Sequence, residues 1–94
     1  MKLHKFIIER EIPNAGGLNA SQLKDAAATS NSALAQLAPD VQWVESYVAA
    51  DKTFCVYLAK DEDAIRKHAE ISGFPASRIT KILRMIDPTT EQTG

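Results

Sequence analysis

Two strand-like runs, VQWVESYVA (41–49) and KTFCVYLAK (52–60), stand almost end to end, with only a few residues around Ala50-Asp51 between them. That spacing leaves no room for a crossover, so the two must pair as an antiparallel hairpin. The rest of the chain has to be arranged around that pair. A further strand is predicted over HKFIIEREI (4–12), where Phe6, Ile8 and Ile12 share one parity and Lys5, Ile7, Glu9 and Glu11 the other. A helix lies between it and the hairpin. Asn19 fits the N-cap and Gln22 completes a capping box, with Leu18 and Leu23 as a hydrophobic staple. Leu23, Ala26, Ala27, Ser30, Leu34 and Leu37 recur at helical spacing until Pro39 ends the run. After the hairpin, Asp61 caps a second helix with Glu62 and Asp63 in its first turn. Its inward stripe is Ala64, Ile65, His68, Ala69 and Ser72, and Gly73 supplies a left-handed terminus. The turn FPAS leads to a last strand from Arg78 to about Ile86.

The order β-α-β-β-α-β predicts an α+β, ferredoxin-like fold: a four-stranded antiparallel sheet with two helices on one face. The chain has 94 residues, enough for one core. We expect a single domain over 1–87 and a polar, mobile tail over 88–94. Eleven basic and 12 acidic residues give a net charge of −1, with no basic patch to hold nucleic acid. No apolar run approaches the roughly 18 residues that span a membrane. MKLHKFIIEREIP lacks a small-residue cleavage site and alternates like a strand, so it does not read as a signal peptide. A single cysteine excludes an internal disulfide and fits a reducing, cytoplasmic setting.

Such a sheet leaves one face bare. The aliphatic sets Phe54, Val56, Leu58 and Val44, Ser46, Val48 are expected beneath the helices. Ile7, Glu9, Trp43, Glu45, Tyr47, Cys55 and Tyr57 are then expected on the open face. Three large aromatics make a poor solvent surface, which suits a homodimer interface or an enclosed ligand cavity. On that face Cys55 would lie beside Glu45 or Tyr47, within reach of Glu9. A thiolate with carboxylates can hold a transition metal; the competing reading of Cys55 is a small buried hydrophobe. His68 reads either as a core histidine or as a metal ligand or acid-base group. Its helix would cover the opposite face, keeping it from the Cys55 thiol of its own subunit. The run Glu9-Arg10-Glu11 reads as a solvated rim. NAGG and SGFP are turns without the Lys-Ser/Thr of a phosphate loop, and no nucleophile-base set can be assembled, so the chain reads as non-enzymatic.

FIIEREIP, VQWVESYV, DKTFCVYLA, IRKHAEISGFPASRI and IDPTT together resemble the small bacterial ferredoxin-like proteins of unknown function, some of them labelled nickel-binding. The resemblance covers residues 4 to 90. It implies a cytoplasmic homodimer with a candidate nickel site, in which Cys55 and His68 match the family's cysteine and histidine positions. Two functional readings follow. One is a non-enzymatic dimer binding nickel through Cys55, Glu45, Glu9 and His68. The other is a small dimeric α+β-barrel-like enzyme or ligand-binding module using the open face, with Trp43, Tyr47 and Tyr57, as its cavity.

Overall fold

The computed structural model describes residues 2–92. It contains β1 (His4–Glu11), α1 (Ala20–Leu37), β2 (Val41–Val48), β3 (Lys52–Ala59), α2 (Glu62–Ser72) and β4 (Arg78–Ile82). The four strands form one antiparallel sheet in the order β2-β3-β1-β4. This is the ferredoxin-like arrangement, with both helices on one face. Helix α1 starts with the expected capping box: Asn19 Oδ1 accepts from the Gln22 amide at 2.9 Å and Gln22 Oε1 accepts from the Asn19 amide at 2.9 Å. Asp61 Oδ1 caps α2 through the Ala64 amide at 2.8 Å, and Gly73 closes it at φ 81°.

The β2–β3 turn fixes the hairpin register. The Ala49 amide donates to the Lys52 carbonyl at 2.8 Å, so only Ala50 and Asp51 lie in the loop. An even loop pairs Cys55 with Ser46, and neither Glu45 nor Tyr47 stands opposite the cysteine. A 3-10 turn at Ala15–Gly17 sits against this hairpin end, with the Gly16 amide donating to the Ala50 carbonyl at 2.9 Å. A Cβ on Gly16 would come within 3.1 Å of Ala49 O and Ala50 Cα, so any larger residue would have to push the hairpin end back by a few tenths of an ångström.

The face assignment expected from the sequence is overturned for Cys55, Tyr57 and Trp43. In the β1–β3 ladder Ile8 pairs with Cys55 and Phe6 with Tyr57. Directly paired residues share a face, so Cys55 and Tyr57 follow Phe6 and Ile8 beneath the helices. Cys55 therefore lies across the sheet from Glu9, which pairs with Phe54. The opposite choice would have carried Lys5 and Glu9 into the interior along with Phe54 and Leu58. A β-bulge between Trp43 and Glu45 breaks the alternation of β2. It sends Trp43 to the helix side, where its Nε1 donates to Ser46 Oγ at 2.9 Å. Glu45 and Tyr47 stay on the open face with Ile7 and Glu9.

The core comprises Phe6, Ile8, Val41, Cys55, Tyr57, Ala59, Ala64 and Ile65. Strand β4 ends at Ile82 and not near Ile86, because Ile82 already pairs with Lys5 at the start of β1 and the partner strand runs out. Leu83, Met85 and Ile86 are consequently exposed. A 3-10 turn at Pro88–Gln92 follows, with the Asp87 carboxylate accepting from the Thr89 amide at 2.9 Å. The last two tail residues, 93 and 94, lie outside the described residues.

The inverted faces give a mutational signature. Ile8→Ala removes a fully buried side chain and should cost about 2–5 kcal/mol. Leu58→Ala, on the half-buried open face, should cost clearly less. Urea denaturation of both variants checks this; equal or reversed costs would mean that the helices cover the other side.

Candidate functional site

Between α1 and the sheet lies a cavity of about 290 Å³ that opens to solvent. Helix α1 contributes Leu23 and the small residues Ala26, Ala27 and Ser30, which leave the space unfilled. The floor is the helix-side row of the strands, including Cys55 and Tyr57. The walls are mainly apolar, and one charged residue stands among them, part of the run that the sequence places on a solvated rim.

That residue is Arg10. It shares the parity of Phe6 and Ile8, is 2% exposed, and lines the cavity. Its Nη1 donates to the Pro75 carbonyl at 2.8 Å and the Phe74 carbonyl at 3.4 Å, both in the α2–β4 turn. Its Cζ lies 5.9 Å from the ring centroids of both Tyr57 and Phe74, at the edge of cation–π range. Its Nη2 is buried without a partner. The flanking carboxylates cannot help. Strand alternation puts Glu9 and Glu11 on the other face, where Lys52 Nζ meets them at 3.6 and 3.4 Å. Among the described residues no carboxylate lies within ion-pair distance of Arg10. Its parity with Phe6 and Ile8 was the sequence signal that could have found it.

A short polar chain runs up to the same place. Buried His68 lies 3.2 Å through Nε2 from Ser30 Oγ, which lies 3.4 Å from the Tyr57 hydroxyl. The His68 and Tyr57 rings approach to 5.1 Å between centroids. Burial, reinforced by the Arg10 charge, lowers the His68 pKa to about 4, so the imidazole is neutral at pH 7. His68 Nδ1 is buried without a partner. A bare lone pair there costs less than an orphaned N–H, which favours the tautomer protonated at Nε2. In that tautomer His68 donates to Ser30, Ser30 can donate to Tyr57, and the Tyr57 O–H is free to donate elsewhere. Burial raises the Tyr57 pKa, so it remains a phenol and a donor.

The four residues expected to hold metal are not brought together. Cys55 is buried on the helix side, with Thr53 Oγ1 at 3.6 Å from the sulfur. His68 is on that side too, not across the sheet from Cys55, but it is engaged with Ser30. Glu9 and Glu45 are on the open face, and Glu9 is paired with Lys52. Among the described residues no group of three or more His, Cys, Asp or Glu side chains is arranged to hold a metal ion. Within one subunit these residues do not fit a nickel centre. Of the residues assigned to the open-face cavity or interface, only Tyr47 is there; Trp43 and Tyr57 line the helix-side cavity. No helix among the described residues is long and apolar enough to cross a membrane.

A family model described as "Nickel responsive protein SCO4226-like" matches residues 6–82. The chain is similar in fold to the crystal structure of SCO4226 from Streptomyces coelicolor A3(2), with a TM-score of 0.74 and 14% identity, covering 87% of this chain and 99% of that one. A putative amidohydrolase/peptidase from Burkholderia cenocepacia matches with a TM-score of 0.38 and 14% identity, covering 86% of this chain and 27% of the other, too slight a likeness to use. The search of curated proteins gave no match.

The His68 environment sets a pH dependence. Above pH 6.5 folded and unfolded chains both carry a neutral imidazole. Between 6.5 and about 4 the unfolded chain takes up a proton that the folded one refuses, so stability falls with falling pH. The loss by pH 4 should be roughly 2–4 kcal/mol. Urea melts of wild type and His68→Gln across this range isolate it. The variant should be flatter by that amount, and parallel curves would show that His68 titrates normally.

Proposed function

As a member of the SCO4226-like family of nickel-responsive proteins, this chain is, we propose, a non-enzymatic binding protein whose helix-side cavity takes a small organic molecule. The observation that carries this reading is the cavity itself: about 290 Å³ of mainly apolar, solvent-connected space with polar groups converging at one point. This moves the ligand-binding alternative from the open face to the other side of the sheet. The single cysteine fits action in a reducing, cytoplasmic setting.

We further propose that the open face pairs two copies into a homodimer. It carries Tyr47, 57% exposed, beside Val44, Phe54 and Val56, together with Lys5 and Glu45 as opposite charges. A two-fold pairing would bury the aromatics and let each charge meet its complement.

The two proposals separate by mutation. The neutral dye N-phenylnaphthylamine should bind wild type saturably with a rise in fluorescence. Ala27→Phe, which fills the cavity, should weaken it by about tenfold or more. Tyr47→Asp should halve the mass seen by light scattering and leave dye binding in place. Dye binding that ignores Ala27→Phe would remove the cavity reading; a wild-type monomer at micromolar concentration would remove the dimer.

Nickel binding is the second reading, favoured by the family match. Because Cys55, His68, Glu9 and Glu45 do not converge in one subunit, Cys55→Ser should leave nickel affinity unchanged, and wild type should show no thiolate-to-nickel charge-transfer band. A nickel titration followed by absorbance checks this; a band lost in the variant would restore Cys55 as a ligand.

A further inference from the structure

We infer that the cavity selects organic anions, seating a carboxylate against Arg10 and the Tyr57 hydroxyl, with an apolar body packed along α1. This rests on the reading of the cavity as a ligand site and names the ligand's class. Two observations carry it independently.

The first is the guanidinium. Arg10 is 98% buried by its 2% exposure, lines the cavity, and leaves Nη2 without a partner. Its neighbours Glu9 and Glu11 are held by Lys52 on the far side of the sheet. A buried cation that, among the described residues, is hydrogen-bonded by the Phe74 and Pro75 carbonyls alone lacks a countercharge, and it lines the cavity. A carboxylate offers the planar, two-oxygen acceptor that a guanidinium fork matches.

The second is the polar chain that ends at the cavity. His68, Ser30 and Tyr57 stand in contact at 3.2 and 3.4 Å, and Tyr57 lines the cavity, where its phenolic O–H can donate to a ligand while Ser30 donates to the Tyr57 oxygen. Tyr57 lies close enough to Arg10 for its ionisation to respond to that charge. The polar end of the cavity thus presents two adjacent donors, one of them cationic. That arrangement repels a metal cation and wastes a neutral donor group, but it suits one negatively charged head with two acceptor oxygens. Leu18, Leu23, Ala26, Ala27 and Val48 leave the remainder apolar, which disfavours a highly hydrated dianion such as inorganic phosphate.

The test displaces N-phenylnaphthylamine from the full chain with phenylbutyrate and with its near-isosteric amide, phenylbutyramide. The result is read as the ratio of the two competitors on each variant, which cancels any change in dye affinity. In wild type the carboxylate should compete about 10- to 100-fold better than the amide. In Arg10→Met the two should come within about threefold. Tyr57→Phe should reduce the ratio by about threefold to tenfold, and serves as the deciding variant if circular dichroism shows Arg10→Met to be unfolded. Equal competition in wild type, with the dye still bound, overturns the anion assignment and leaves the cavity reading standing. Failure of the dye and both competitors to bind overturns the cavity reading and this inference with it. A carboxylate preference undiminished in the folded variant overturns the role given to Arg10 and Tyr57.

Discussion

The pairing of Ile8 with Cys55 decides which side of this sheet is inside. Both faces of β3 are apolar: Phe54, Val56 and Leu58 on one, Cys55, Tyr57 and Ala59 on the other. Strand β3 alone could bury either. Strand β1 cannot, because one of its parities carries Lys5, Glu9 and Glu11. Once the register couples the strands, the charged parity of β1 pulls Phe54, Val56 and Leu58 outward and sends Cys55 and Tyr57 beneath the helices. The same coupling buries Arg10, which shares the parity of Phe6 and Ile8. One ladder thus sets the core, the open face and the location of the buried cation.

Burying Arg10 is costly. Removing an ion from water carries an effective penalty of several kcal/mol even after relaxation. The α2–β4 turn offsets part of it by turning the Phe74 and Pro75 carbonyls onto Nη1, and the Tyr57 and Phe74 rings contribute their faces. What looks in sequence like a plain connection, SGFPAS, is therefore shaped around the guanidinium. His68 feels the same charge: a second cation beside Arg10 would be disfavoured, which adds to burial in keeping the imidazole neutral. The polar interior is organised by one positive charge, with each neighbour adopting the protonation state compatible with it.

The architecture was legible because its signals are local. The capping box at Asn19, the cap at Asp61, Gly73 and the short hairpin each act within a few residues and each appears as read. The faces were not legible because they depend on register. A two-residue loop that sets Cys55 opposite Ser46 rather than Glu45 or Tyr47, and a bulge between Trp43 and Glu45, change the neighbourhood of Cys55, and neither leaves a clear mark in composition. The carboxylates assigned to Cys55 are therefore separated from it by the thickness of the sheet. Arg10 was missed for another reason: between two glutamates it reads as an ion-paired rim, whereas alternation along a strand points adjacent charges to opposite faces.

The unfilled volume beside Arg10 and the burial of Arg10 are two aspects of one arrangement. Along α1 the cavity is lined by Ala26, Ala27 and Ser30 beside Leu23, and a further large aliphatic side chain there would occupy much of the space. Such a chain would gain roughly 1.5–3 kcal/mol from its own burial. It would also fill the space from which an acceptor could approach Nη2, which is buried and has no partner among the described residues. Small residues on α1 leave open space beside the guanidinium, which is itself only 2% exposed and has no countercharge among the described residues. A bound anion would supply that countercharge. The apolar walls would then work in its favour, since excluding water strengthens the pairing. The alanine-rich helix face and the lone arginine of β1, far apart in sequence, thus constrain each other through the cavity between them.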